Sequence, residues 1–397
     1  MTVSEKAFIS LLANSACGLE MDSCIIENLT EDVLEDVFKL SQIHSVVNVV
    51  ADALLKNGIL SQGKAKNKFY NALIQTVVRN ENMEYELKRV SELFEKNKIK
   101  YMPLKGSVLR NYYREPWLRS SCDVDVLIQE SDLSKAAELL VKDLGYTLSS
   151  KDPHDWAFTT KSTISLELHF KLIEGLDESG NLKYKWNANC LSDVWQNAML
   201  CKDKNYCYAM SDEFFYFYHI AHMAKHFEHR GCGVRFFIDL WILNHTRNFD
   251  KEKVDCLLTE GKLKAFEKYA KALSEMWFSG EQENDILKSM EIFVLRSGTY
   301  GTLDNYVRIQ QNRRGGKLNY LLSTVFLKYD ILKKNYPILE KRKWMYPICQ
   351  MARWFSIILP GKRKNSTSAK IIKENLSGST GAVLSTTKLF KKLQIGK

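Results

Sequence analysis

Cys122-Asp123-Val124-Asp125-Val126-Leu127-Ile128 is the stretch on which the fold turns. Side chains alternate along a strand with period two, so Asp123 and Asp125 project to one face and Val124 and Val126 to the other. Adjacent carboxylates repel, and an apolar strand gains nothing from them unless positive charge sits between them. A divalent cation meets that need. The plain alternative is an exposed strand face, but Val126, Leu127 and Ile128 mark a central strand.

Upstream, residues 99–104 are a short apolar run, read as a strand that turns at Gly106 into a helix from Ser107 to about Tyr113. Downstream, Ser131 reads as the N-cap of a helix whose stripe is Leu133, Ala136, Ala137, Leu140 and Leu144, closed by Gly145. Residues 156–160 and 164–170 read as two strands joined by a turn at Lys161-Ser162. In the second, Ile164, Leu166, Leu168 and Phe170 share one side, leaving Ser165, Glu167 and His169 on the other. If it neighbours the aspartate strand, Glu167 joins Asp123 and Asp125 in a patch of hard oxygen donors. That is the ligand set of two Mg²⁺ ions, or of Mn²⁺ in their place. Glu167 could equally be a solvent-side glutamate, and Lys105 a surface lysine. Gly106-Ser107 at a helix start offers free amides and a hydroxyl to an anion, with Lys105 as a point charge.

Periodic apolar segments surround this unit. Val33, Val37 and Leu40 share one helical face, and Tyr85, Leu87, Val90, Leu93 and Phe94 mark a later helix. The expected organisation is a helical region at 1–96, an α/β core at 97–175, a helical domain at 190–360 and a basic, flexible tail at 361–397. Of the formal charge of +10, the tail carries nine Lys/Arg against one acid, Glu374, so the body is nearly neutral. Such a tail can bind nucleic acid or anionic lipid, but a solvated, disordered end is the first expectation. Nine scattered cysteines without a C-x-x-C pair argue against a disulfide framework and for a reducing cytoplasm. No stretch reads as a signal peptide or a membrane span; residues 344–360, interrupted by Arg353, read as a packed helix, with an interfacial helix as the minority reading.

His219, His222, His226 and His229 recur at spacings of three, four and three on one helix. His222 and His226 have a zinc spacing, but position 223 is Met, so the glutamate of a His-Glu-x-x-His hydrolase is missing. A site wall or interhelical packing is the expectation, with His169 likewise a wall. Arg235 and Asp239, four apart, are expected to form an ion pair on a helix face, with a place on the site wall, holding the substrate, as the weaker reading.

Leu104-Lys105-Gly106, then Arg119-Ser-Ser-Cys-Asp-Val-Asp-Val-Leu-Ile128, then Leu166-Glu-Leu-His169 resembles the nucleotidyltransferase superfamily typified by DNA polymerase beta. More closely, the run is similar to its bacterial branch of standalone nucleotidyltransferase family proteins. The resemblance implies an α+β fold, with a small mixed-sheet nucleotidyltransferase core embedded in a largely helical chain. It places Gly106 and Ser107 on the phosphate-binding turn, Asp123 and Asp125 on the metal pair and Glu167 on the third carboxylate. It implies transfer of a nucleoside monophosphate from an NTP, ATP first, to an acceptor that is left open among protein, small molecule and RNA. Arg119 would hold the triphosphate or neutralise the acidic strand end. The alternative is a catalytically inactive or partner-dependent nucleotide-binding protein of the same fold.

Overall fold

The computed structural model describes residues 1–60, 64–175, 183–280, 282–299, 301–358, 367–377 and 380–396. Its main sheet has the strand order β1-β2-β5-β4-β3, built from β1 (Tyr101–Pro103), β2 (Asp123–Ile128), β3 (Thr147–Lys151), β4 (Asp155–Thr159) and β5 (Ser165–His169). β2 runs antiparallel to β1 and parallel to β5, and β4 runs antiparallel to both β5 and β3. A parallel pair requires a crossover. The segment from Ile128 to Ser165, which holds a helix and the β3–β4 hairpin, supplies it.

The principal helices, numbered in chain order, are α1 (Val3–Cys17), α2 (Glu31–Ile43), α3 (Val47–Lys56), α4 (Lys64–Lys96), α5 (Gly106–Leu109), α6 (Leu133–Leu144), α7 (Asp212–His229), α8 (Arg235–Thr246), α9 (Lys264–Phe278), α10 (Asp285–Ser297), α11 (Leu303–Arg313), α12 (Lys317–Val325), α13 (Tyr346–Ile358), α14 (Thr367–Ser377) and α15 (Thr380–Leu393). Their ends follow local chemistry. Thr2 caps α1 in a reciprocal box with Glu5, and Ser211 accepts from the Phe214 amide at the start of α7.

The two faces of the sheet have different fates. Val124, Val126 and Ile128 of β2, with Leu166 and Leu168 of β5, pack on Val90 and Phe94 of α4 and on Ala136 and Leu140 of α6. The opposite face meets the helical body, where Met102, Leu104 and Leu127 join a core shared by α1–α3 and α7–α10. Helices on both sides of the sheet in sequence thus build one core. The boundary expected at 96 coincides with the end of α4, and position 190 falls inside a 3₁₀ helix (Ala188–Trp195).

Several local expectations are corrected. The N-cap of α6 is Asp132, without a side-chain cap, and Ser131 sits in the preceding 3₁₀ turn; Gly145 does close the helix at φ +69°. β3 was missed, because Thr147-Leu-Ser-Ser-Lys151 is an exposed edge strand with no apolar alternation. Between 190 and 211 the chain is not simply helical: β6 (Ala198–Leu200) pairs with β7 (Tyr208–Met210). The region expected to be a flexible tail contains α14 and α15, and Leu389, Phe390, Leu393 and Ile395 are buried in the main core. Spacings of one, three and four place the α15 residues on one face, which their basic neighbours hide at the level of composition. Residues 361–366, including Lys362, Arg363 and Lys364, lie outside the described residues. Among the described residues no helix is long and apolar enough to cross a membrane, and the cysteines are free.

Candidate active site

Register across the β2–β5 ladder sets Asp125 directly opposite Glu167 and Asp123 opposite Ser165. Because β2 buries its valines against α4 and α6, its aspartates face the helical body, as does Glu167 on the polar side of β5. There they line a cavity of about 260 Å³ whose far wall is α7 and the start of α8. All three carboxylates are on the sheet side of the cavity. His169, His222, His226, Lys105, Gly106, Arg119 and Arg235 line the same space.

The centre of the cavity is a tight charge cluster. Lys105 donates to Asp125 Oδ1 at 2.6 Å, and His169 Nε2 lies 2.7 Å from the same oxygen and 3.4 Å from Glu167 Oε2. Lys105 sits at φ +45°, ψ −118°, a backbone region that side chains rarely adopt; the strain is placed at the turn that brings its ammonium to Asp125. Burial alone would push the Asp125 carboxyl up, but Lys105 and His169 hold it well below the usual carboxylate range. Asp123 forms no ion pair among the described residues, and Lys105 offsets its burial only in part. Its Oδ1 accepts from Ser121 Oγ at 2.9 Å, and burial together with Asp125 and Glu167 raises its pKa.

The donor set fits a hard cation. Asp125, Glu167 and His169 each offer one ligand atom, all within 4.8 Å of one another, and this is the one such group of three among the described residues. Asp123 stands outside that trio on the same face. The resting cluster already recruits an ammonium to balance the acids, which is the role a divalent ion would take.

Gly106 approaches closely: a Cβ there would lie 2.9 Å from Ser121 Oγ and 3.2 Å from its Cβ. Ser107 is buried, its Oγ has no hydrogen-bond partner among the described residues, and it is not part of the cavity wall. The turn thus presents Gly106 and Lys105 to the cavity and holds Ser107 behind them.

The fingerprint strands, the Gly106 turn and the helices around them fall within one family. The chain belongs to the uncharacterised nucleotidyltransferase family, whose model matches residues 31–279. That span runs from α2 through α9 and includes every catalytic candidate. No curated protein and no solved structure matches the chain.

Within this nucleotidyltransferase family member the helical wall of the cavity departs from expectation in two places. Asp239 does not pair with Arg235. It accepts from Arg119 Nε at 2.7 Å and from the Tyr113 hydroxyl at 2.7 Å, while Arg235 Nη1 donates to the Ser120 carbonyl at 2.9 Å. Asp239 is fully buried and off the cavity wall, where a carboxylate needs a charged partner more than a helix-face contact can provide. Arg119 therefore joins β2's approach to α8 while still lining the cavity. Of the four histidines on α7, His219, His222 and His226 line the cavity and His229 does not. The His222 and His226 Nε2 atoms are 3.0 Å apart and share a proton; no third ligand accompanies them among the described residues. Burial first, then nearby Lys225 and Lys105, lower His226 to about 3, so both rings are neutral at pH 7.

Several wall residues were not anticipated, Lys225, Tyr218 and Asp155 among them. Lys225, between the paired histidines, forms no ion pair among the described residues; burial, Lys105 and Lys183 bring it down to about 8. Tyr218, one turn before His222, is fully buried near Lys105 with an unpartnered hydroxyl. Asp155 lies across the ladder from His169, its Oδ2 3.8 Å from His169 Nδ1. The spacing of Tyr218, His222 and Lys225 on one helical face was a usable signal; Asp155 offered none, because its pairing depends on strand register.

Proposed function

We propose that this nucleotidyltransferase moves a nucleoside monophosphate from an NTP, ATP first, to an acceptor hydroxyl, with Asp123, Asp125 and Glu167 holding two Mg²⁺ ions. The observation that supports the reading most is the direct pairing of Asp125 with Glu167, with Asp123 two residues away on the same face. Bound Mg²⁺ would neutralise the phosphate oxygens and the departing pyrophosphate. The protein's part is positioning and charge. Glu167 takes the proton of the acceptor hydroxyl as its oxygen bonds to the α-phosphorus. The bond from that phosphorus to the bridging oxygen breaks, and pyrophosphate leaves. Lys225 and Lys105, both on the cavity wall, are cations available to the triphosphate.

The acceptor has its own approach. A second cavity of about 540 Å³ shares Ser121, Cys122 and Arg235 with the first and opens beside the Asp123 end of β2. Its remaining wall carries Arg79, Asn82, Ser162 and Thr163 and no carboxylate. Donor and acceptor can therefore meet at Asp123 from two sides.

Incubation with each α-labelled NTP and Mg²⁺, following bound nucleotide and released pyrophosphate, tests the reading. Binding should require Mg²⁺, and Asp125→Asn should lower turnover about a thousandfold with the fold intact. Absence of Mg²⁺-dependent nucleotide binding rejects it.

A further inference from the structure

Helix α13 is turned inside out. Its polar residues point inward: Gln350 and Arg353 are buried, and they donate to the carbonyls of Leu327, Val325 and Thr324. Pro347, Ile348, Met351, Ala352 and Phe355 are exposed and occupy the outer face, with Phe355 62 % accessible. No charged or hydrogen-bonding side chain interrupts that set. An apolar helix face left in water costs roughly 25 cal/mol for each Å² that could be buried, so its retention asks for an occupant.

The surroundings identify the occupant's chemistry. Trp344, 67 % accessible, stands just before the helix, directly after Lys341-Arg342-Lys343, all three exposed. On neighbouring α12, Leu318 and Leu322 are exposed one turn apart. Residues 317–358 carry eight Lys/Arg against two acids, Asp330 and Glu340, a net of +6. Large aromatic and aliphatic residues flanked by lysine and arginine are the composition of a helix that lies in a lipid headgroup layer. A protein partner's interface core would also be apolar, but it gives no reason for a basic belt beside an exposed tryptophan. Among the described residues no helix can cross a bilayer, so the contact is in-plane.

We infer that α13, with Trp344 and the Lys341–Lys343 cluster, docks the protein onto an anionic lipid surface. The outer face enters the acyl boundary and the cations meet the headgroups. The catalytic cavity, on the opposite side of residue 300 in sequence, contributes no residue to this surface.

Flotation of the full chain with vesicles of phosphatidylcholine alone, and of phosphatidylcholine with phosphatidylglycerol, tests this. Binding to the anionic vesicles should exceed that to the neutral ones at least tenfold and weaken with salt. Phe355→Asp and Ile348→Asp should each lower it about tenfold with unchanged circular dichroism and melting temperature. Lys341→Glu with Lys343→Glu should remove the preference for anionic lipid. The inference is overturned by equal behaviour of wild type and Phe355→Asp, by no binding to either vesicle, or by a dimer in light scattering that Phe355→Asp dissolves while lipid binding is absent.

Discussion

The Lys105 ammonium rests 2.6 Å from Asp125 Oδ1, inside the trio of ligand atoms that Asp125, Glu167 and His169 offer to a cation. Two positive charges cannot share that position cheaply, so a divalent ion must displace the ammonium toward the triphosphate. Lys105→Met removes the competitor. Mn²⁺ affinity, read by electron paramagnetic resonance without nucleotide, should then rise about tenfold, while turnover with NTP falls because the phosphates lose a cation. Unchanged Mn²⁺ affinity would falsify the displacement.

Gly106→Ala tests the close approach at the turn. The added methyl meets Ser121, whose hydroxyl holds Asp123 at 2.9 Å, so packing strain passes directly to a carboxylate proposed to hold metal. We expect about 1–3 kcal/mol of destabilisation and weaker Mn²⁺ binding. Adding Ser121→Gly should restore stability by removing both clashing atoms. If the double variant is no more stable than Gly106→Ala, the clash is not the cause.

His44 predicts an acid limb in stability. It sits at the C-cap of α2, where Nδ1 accepts from the Val234 amide and Nε2 donates to the Leu295 carbonyl, tying α2 to α8 and α10. Only the neutral ring satisfies both bonds. Burial lowers its pKa from 6.5 to about 4, so in that window the unfolded chain binds a proton that the folded chain refuses. Stability is therefore full above pH 6.5 and falls as pH drops toward 4, by about 3 kcal/mol at most. Urea unfolding at pH 7 and pH 5 should show this slope in the wild type and a shallower one in His44→Gln. Parallel slopes would assign the acid sensitivity to other groups.

Lys225 gives a second pH signature, of opposite direction. With a pKa near 8, it is charged below that pH and neutral above it, so nucleotide affinity should decline as pH rises through 8. A triphosphate beside the ammonium favours the charged form, and binding at pH 8 should take up protons. Calorimetry in buffers of different ionisation enthalpy reads that uptake directly. Lys225→Met should bind about tenfold more weakly at pH 7 and show a flat profile; proton uptake that survives the substitution would place Lys225 away from the phosphates.

What the sequence disclosed was local and periodic. Alternation in β2 and β5 revealed which side chains share a face, and the register then placed Asp125 against Glu167. Pairings set by tertiary packing carried no such trace. Arg119 meets Asp239 across 120 positions, so the i, i+4 rule favoured Arg235 instead. Periodicity shows that α13 has two faces, yet whether Phe355 or Arg353 turns inward is decided by the carbonyls of Thr324 and Val325. β3 was invisible because an exposed edge needs no apolar pattern.

Composition misled most at the C-terminus, and the correction is testable there. Phe390, 2 % accessible, packs 5.7 Å from the Phe227 ring of α7 and 5.7 Å from the Phe293 ring of α10. α7 carries His222, Lys225 and His226, so α15 braces the helix that walls the active site. Phe390→Ala should cost about 3–5 kcal/mol, and removal of residues 380–397 should expose the apolar backs of α7 and α10. We expect the truncated chain to aggregate or to bind a hydrophobic dye, with nucleotide binding lost as a consequence. A solvated basic arm would behave in the contrary way: its deletion would leave the melting temperature unchanged and remove only polyanion binding. Retention of the wild-type melting temperature after truncation would therefore return this segment to the status of an independent tail and remove the link between α15 and the site.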